Sequence, residues 1–397
     1  MDFDDSPREA AFRADVRAWL VSRTRPRTDA TEPLSVLSGF RDDPASIAAA
    51  KTWQLTLAEG GWAAVTWPVE LGGRGAGPLE AIVLAEELAR RELPPNLFAI
   101  GINMIGPTII AHGTDTQRER YLRPMLEGRE IWCQLWSEPG AGSDLASLSA
   151  HARRDGDTYV VTGQKVWTSG AHYADFGLGV FRTDPVAPKH HGITCLVVDM
   201  RSQGIEVRPL RQITGDAHFN EVFFSDVRVP VANRVGDEND GWRVARTTMM
   251  NERLAAGAMG SAVGPVRALV DLAQRSGAAR DARHRQRLAG LYTLARVFDL
   301  TTSRVRSSLA RGAIPGVEGS VLKLAAAQLG TALADAGCDV LGESGSLTGD
   351  VAPEGGRWPD ALLGSFAMHI GGGTDEIQRN IIGEAVLGLP REPAVNR

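Results

Sequence analysis

The hydrophobic period changes twice along this chain, and that double change restricts the fold more than any single motif does. From the N-terminus to about residue 128 the apolar residues recur at helical spacing, over residues 8–20, 44–59 and 79–91. The last stretch carries Leu79, Ile82, Val83, Glu86 and Leu88 near a 3.6 period. Between about residues 131 and 236 the texture becomes alternating and β-branched, as in 158–162, 193–198 and 219–229, with breaks at Asp155-Gly156, Asp184-Pro185 and Gly204. From about residue 240 long Ala/Leu/Val-rich helical segments return over 242–276, 286–311, 317–341 and 374–387. The expected fold is mainly α with a central β domain. Its expected divisions are a helical domain over 1–127, a β domain over 128–236 and a helical bundle over 237–397.

Composition narrows the function classes. A chain of 397 residues with 43% hydrophobic content and a formal net charge of -5 suits two or three compact domains and lacks the basic block of a nucleic-acid binder. No apolar run approaches the roughly 20 residues that cross a bilayer, and Met1-Asp-Phe-Asp-Asp5 is acidic where a signal peptide is basic, so a cytoplasmic location is expected. Cys133, Cys195 and Cys338 are few, scattered and odd in number, which argues against a disulfide framework. His190-His191 with Cys195 does not have the spacing of an established metal site and reads as loop; no metal is expected.

Two pieces carry chemistry: Trp136-Ser-Glu-Pro-Gly-Ala-Gly-Ser-Asp144 and Gly163-Gln-Lys-Val-Trp167-Thr-Ser169-Gly170. Glycine and serine let backbone N–H groups approach an anionic planar ring closely, and a tryptophan at a strand end can cover its face. Alone, Pro-Gly-Ala-Gly is only a turn, and Trp136 and Trp167 could equally be core. No strand-linked Gly-x-Gly-x-x-Gly occurs, which disfavours a Rossmann route to a dinucleotide; Gly257, Gly260 and Gly264 read as helix-packing positions. Further on, Ala245, Met249, Glu252, Ala256 and Met259 fall at four- and three-residue spacing, so Glu252 lies on the apolar stripe of a helix. Burial raises a carboxyl pKa, as suits a general base acting on a weakly acidic carbon, although a distant arginine could equally explain such a glutamate.

The two motif pieces resemble the acyl-CoA dehydrogenase family. So do Gly61-Trp62, Trp67-Pro68 and Gly72-Gly73-Arg74-Gly75 upstream, and Gly372-Gly-Thr374-Asp-Glu376-Ile-Gln-Arg-Asn380 downstream, so that nearly the whole chain is covered. The resemblance implies an N-terminal helical domain, a small β-barrel or sandwich, and a C-terminal four-helix bundle. It also implies FAD as cofactor and α,β-dehydrogenation of an acyl thioester, acyl-CoA to 2-enoyl-CoA.

The family carries its catalytic glutamate either directly before Gly-Thr in the C-terminal loop or, in isovaleryl- and long-chain-type members, on the first long C-terminal helix in a Glu-Arg pair. Here the loop position is Gly372, which cannot take a proton, while the helix position reads Asn251-Glu252-Arg253. The resemblance therefore implies Glu252 as the base, with the Gly372 N–H and a flavin ribityl hydroxyl stabilising the enolate oxygen. It places Trp136 and Ser137 at the pyrimidine edge of the flavin, with Trp167, Thr168 and Ser169 beside the ring. Ser143 falls where flavin and pantetheine meet, and Thr374 and Glu376 at the adenosine half of a neighbouring subunit's FAD. Met249 and Arg253 join Ser143 on the substrate side.

Partners implied are acyl-CoA or a carrier-protein thioester, an electron-transfer flavoprotein as acceptor, and either a homo-oligomer or a heteromer with a paralogous subunit. Two family elements depart from pattern: Arg-x-x-Phe-Gly has no clean counterpart in Arg280-Asp-Ala-Arg283-His-Arg285-Gln-Arg287-Leu288, and Gly-Gly-x-Gly is degraded to Leu341-Gly-Glu-Ser-Gly-Ser346. Both concern the ADP half of FAD. They keep open a non-catalytic or half-active subunit of a heteromeric dehydrogenase, beside an oxidase that passes electrons to oxygen.

Overall fold

The computed structural model describes residues 5–27, 34, 42–256, 262–310 and 318–391. Its helices are α1 (Pro7–Val21), α2 (Pro44–Glu59), α3 (Pro78–Ala89), α4 (Gly106–His112), α5 (Asp115–Leu126), α6 (Gly241–Ala256), α7 (Val263–Ser276), α8 (Ala282–Ala310), α9 (Glu318–Leu341), α10 (Arg357–Met368) and α11 (Asp375–Ile381). Its strands are β1 (Arg25–Pro26) and β2 (Arg91–Glu92), then β3 (Trp132–Leu135), β4 (His151–Asp155), β5 (Thr158–Ser169), β6 (Phe176–Arg182), β7 (Ile193–Asp199), β8 (Ile205–Leu210), β9 (Phe219–Pro230) and β10 (Arg234–Val235). The mainly α protein with a central β region, expected from the two changes of period, is the one observed. Two compact units result. One draws on Met1–Gly39, Gly77–Leu93 and Ala256–Arg397, the other on Phe40–Ala76 and Pro94–Ala255.

In the first unit, α1 starts on a capping box in which Ser6 and Glu9 exchange side-chain and backbone bonds, with Pro7 at the first helical position. The face that α3 buries differs from the one its apolar pattern suggests. Glu80, Val83, Leu84 and Glu87 are buried, whereas Glu86 is only half-buried. The reason is charge pairing: Arg13, Arg17 and Arg90 all reach the Glu87 carboxylate at 2.8–3.2 Å, and Arg8 reaches Glu80 at 2.6 Å. A carboxylate so neutralised can occupy a core position that a hydropathy count assigns to leucine. The helices α7, α8, α9 and α10 share one core around Leu269, Phe298, Leu333 and Trp358.

In the second unit, eight strands form one sheet in the order β10-β7-β6-β4-β5-β9-β8, with β3 parallel to β6 off that path. Period-2 geometry sorts side chains to two cores. On β7, Ile193, Cys195 and Val197 join helical residues such as Ile105, Ile109 and Met125, while Leu196 and Val198 join Val161, Phe181, Val222 and Phe224. Both faces are covered, which is why 193–198 is apolar at every position but Thr194, itself fully buried. The strand β6 lacks such a signature because Gly177 and Gly179 interrupt it. A Cβ at Gly177 would meet Leu135 Cδ1 at 2.4 Å, so the crossing of β3 requires glycine there. The helical segment expected over 242–276 is described as α6 and α7; Gly257, Met259 and Gly260 lie outside the described residues.

Candidate active site

The two motif pieces lie side by side in the second unit. Val166 N donates to Ser137 O at 2.8 Å, and Lys165 Nζ donates to Trp136 O at 3.0 Å. Lys165 is fully buried and also donates to Glu138 Oε1 and Val180 O, both at 2.8 Å, so all three ammonium hydrogens are used. Glu138 accepts in addition from Ser149 N, Ser149 Oγ and Ala150 N at 2.7–3.0 Å. Burial pulls the Lys165 ammonium down to about 8. Burial alone would raise the Glu138 carboxyl, but the Lys165 charge and the hydrogen bonds from Lys165 and Ser149 outweigh it and hold the group below the ordinary carboxylate range. This pair fastens the loop from Trp136 to Asp144 onto β5. It was not among the residues singled out from sequence, although β5 alternation puts Lys165 on the same face as Tyr159 and Val161.

The strand pairing of β5 with β9 contains two irregularities, and each falls on a non-glycine residue with left-handed backbone. Between Val161/Val227 and Gly163/Phe224 the extra residue is on β9, where Asp226 has φ 53°. Between Lys165/Val222 and Thr168/Asn220 it is on β5, where Trp167 has φ 60°. Aspartate tolerates that conformation, but for tryptophan it costs on the order of 1 kcal/mol. The second bulge reverses the parity of β5. Trp167, which alternation would turn inward after Lys165, is 61% exposed, and Thr168 is buried instead.

Among the described residues, the ring contact of the Trp167 indole is with the edge of Phe219, at 6.0 Å. Meanwhile Thr168 Oγ1 and Trp136 Nε1 are both buried with no hydrogen-bond partner among the described residues. Such orphans cost roughly 1–3 kcal/mol each unless a ligand takes them up. An exposed aromatic face on strained backbone, with one unpaired buried donor beside it at Thr168 and a second at Trp136 on the segment that Val166 joins through Ser137 O, fits a planar ring with a polar edge. Ser137 and Ser169 are half-buried at this margin, and Ser143 is exposed on the loop.

The helix α6 belongs to the same unit. Val244, Ala245 and Thr248 are fully buried, and Met249 packs against the cluster that contains Trp136. Thr248 Oγ1 lies 2.9 Å from Thr108 Oγ1 on α4, and Thr247 Oγ1 lies 2.7 Å from His112 Nε2. These two contacts fix the rotation of α6. Glu252, one turn beyond Thr248 on the same face, is half-buried. The stripe expected from sequence is therefore observed as far as Glu252; the side chains of Arg253 and Ala256, and all of Met259, lie outside the described residues.

Gly372, Thr374 and Glu376 belong to the first unit. Gly372 and Gly373 have φ 66° and 89°, and Gln378 Nε2 donates to both their carbonyls at 2.9 and 3.2 Å. Thr374 caps α11 through its Oγ1, which accepts from Ile377 N, and exposed Glu376 lies 3.4 Å from Arg379. The loop is closed by His369 and Asp375, whose Nδ1 and Oδ2 lie 2.7 Å apart; Asp375 N also donates to His369 O. Sequence reading passed over both, though Asp375 stands inside the quoted signature. Among the described residues no His, Cys, Asp and Glu side chains group as a metal site, and no helix is long and apolar enough to cross a membrane.

Three family models cover the chain: the acyl-CoA dehydrogenase N-terminal domain over 6–129, the middle domain over 133–227 and the C-terminal domain over 239–387. The chain belongs to the acyl-CoA dehydrogenase family, a family of flavoprotein oxidoreductases. It is 40% identical to acyl-CoA dehydrogenase IpdE1 of Mycobacterium tuberculosis (strain ATCC 25618 / H37Rv), over 96% of this chain and 98% of that protein. Among solved structures, the Tcur3481-Tcur3483 steroid ACAD superposes with a TM-score of 0.82 at 28% identity, covering 99% of this chain and 100% of that one. The ChsE4-ChsE5 complex from Mycobacterium tuberculosis superposes with a TM-score of 0.81 at 31% identity, with the same two coverages. Acyl-CoA dehydrogenation is thus the general activity of the chain.

Proposed function

We propose that this chain binds FAD and oxidises the α,β-bond of an acyl thioester, with Glu252 as the base. The observation that carries this reading is the placement of a half-buried carboxylate on the pinned face of α6, combined with a glycine at the loop position where most of the family keeps its acid. FAD, when bound, supplies the hydride acceptor. Trp136, Ser137, Trp167, Thr168 and Ser169 hold the ring system, the unpaired Trp136 Nε1 and Thr168 Oγ1 giving it two donors. Thr374 and Glu376 serve the adenosine half of a neighbouring subunit's FAD. Glu252 takes the proton from the α-carbon, and the Gly372 N–H donates to the thioester oxygen as negative charge develops there. Ser143, Met249 and Arg253 contact the substrate. The product would be a 2-enoyl thioester, with an electron-transfer flavoprotein as the electron acceptor. The working domain division is 1–127, 128–236 and 237–397.

Glu252→Gln keeps size and hydrogen bonding but cannot accept the proton. Turnover should fall by about 10²–10⁴ with FAD still bound, since that is what a positioned base contributes. Wild-type turnover in a yellow Glu252→Gln protein would remove Glu252 from the mechanism. For the acyl group we propose a bulky, ring-bearing thioester, because one superposed structure is a steroid ACAD. Anaerobic flavin bleaching across straight-chain, branched and polycyclic acyl-CoAs tests it; fastest bleaching with short straight chains would refute it.

A second reading, in which the chain works as one component of a heteromer, is favoured by the two-component structures it resembles and by the altered segment 280–288. FAD uptake only after mixing with a paralogous subunit would establish it.

A further inference from the structure

A line of polar contacts in the second unit ends at the bulge and has no part in the chemistry proposed above. Asn220 on β9 is fully buried opposite Thr168. Its Nδ2 donates to Thr168 O at 2.9 Å and to His218 O at 3.1 Å. Both acceptors are carbonyls, so the amide can face only one way, and Oδ1 is left to meet His172 Nδ1 at 3.1 Å. The other ring nitrogen of His172, Nε2, lies 2.8 Å from Asp42 Oδ2. His218 O receives a second bond from Gly170 N at 2.8 Å, which ties the chain just beyond β5 to the same point.

The Thr168 peptide follows a tryptophan in left-handed conformation, and such a conformation persists only where the surroundings over-determine it. The strand ladder is interrupted there, so that determination has to come from a side chain. Asn220 is that side chain. His172 and Asp42 stand behind it, and Asp42 is contributed by a segment 126 positions away in sequence from Thr168 (168 − 42). We propose that Asn220, oriented by His172 and Asp42, is a positioning residue that locks the bulge and so sets where the Thr168 hydroxyl meets the flavin ring. The proposal rests on the FAD-binding reading given above.

The test is a binding and spectroscopic one on the full chain, with its partner subunit present if FAD uptake requires one. FAD dissociation constants and visible flavin spectra are measured for the wild type, His172→Ala, Asn220→Asp, Asp42→Asn, Thr168→Val and the His172→Ala/Thr168→Val double variant. His172 and Asp42 sit near the surface, so their variants report even if Asn220→Asp does not fold. Losing one oriented donor to the ring corresponds to about tenfold weaker FAD binding, or ~1.4 kcal/mol. His172→Ala and Thr168→Val should each weaken binding by about that factor and shift the flavin absorption bands, Asp42→Asn by less. Because His172 acts through Thr168, its replacement should change binding by under about twofold in the Thr168→Val background. Full additivity, or His172→Ala and Asp42→Asn proteins with wild-type affinity and spectrum, would overturn the positioning role alone. A folded wild type that takes up no FAD with or without a partner would overturn the reading beneath it as well.

Discussion

Replacing Lys165 by methionine asks whether the buried pair holds the candidate site together. Methionine matches the lysine stem but deletes an ammonium that makes three bonds at 2.8–3.0 Å inside a fully buried shell. Two carbonyls, of Trp136 and Val180, lose their donor, and the Glu138 carboxylate loses its counter-charge while keeping three donors from Ser149 and Ala150. Breaking one side of a buried pair costs about 3–5 kcal/mol, the recovered desolvation of the ammonium already included. The donors that remain on Glu138 place this case at the lower end, near 3 kcal/mol, which at roughly 2 °C per kcal/mol for a long chain lowers the melting temperature by about 6 °C. Calorimetric or tryptophan-fluorescence melting of the apo protein reads that directly, and visible absorbance of the purified protein reads FAD occupancy. Glu138→Gln should also destabilise, by stranding the ammonium, but the double variant should be more stable than the sum of the singles predicts, by at least about 1 kcal/mol. A Lys165→Met protein melting within 2 °C of wild type, or strict additivity in the double variant, would refute the reasoning.

Trp167→Gly removes a left-handed strain of about 1 kcal/mol and adds a comparable backbone entropy cost, so the melting temperature of the apo protein should barely move. FAD affinity should nevertheless drop by tenfold or more, and an unchanged affinity in a titration would separate the indole from the flavin. Acid sensitivity follows from Glu138. Its folded-state pKa is depressed, so its stabilisation is fully present above the unfolded value of about 4.5 and is lost as pH falls through the lower folded value. Glu138→Gln should therefore flatten the decline of melting temperature below pH 4.5; an identical decline would contradict it. Thr248→Val, which removes one of the two pins on α6 and leaves Thr247 on His112, should lower turnover more than it lowers FAD occupancy, and equal losses in both would argue against a role in aiming Glu252.

The order of helical and β regions was legible because it depends only on apolar period, which survives in one sequence. The details that escaped are those in which charge or backbone overrides that period. Burial of Glu87 depends on arginines from α1, which no count along α3 can register. The strand β6 hides behind Gly177 and Gly179, where a Cβ would meet Leu135 on a neighbouring strand and the Phe181 ring, respectively. At the site, the motif around Trp167 was visible, yet alternation would have turned the tryptophan inward and the threonine out. One inserted residue exchanges them, and its location shows only in the pairing with β9. The helix face of Glu252 was visible for the same reason as the helices themselves. Asp42, His172 and Asn220 carry no common pattern, since their meeting is a product of tertiary folding.

The paired irregularities of β5 and β9 have opposite sense. Partner numbers sum to 388 at Val161/Val227, to 387 at Gly163/Phe224 and Lys165/Val222, and to 388 again at Thr168/Asn220. Each lone insertion would throw the remainder of the strand pair out of phase, but together they leave both extremities in step. The end that carries Trp167 and Thr168 can therefore be rebuilt by insertion and compensating deletion while the far end keeps its pairing. Descendants of this chain are expected to gain or shed the two kinks jointly, and a variant lacking only one should misalign every cross-strand neighbour beyond it.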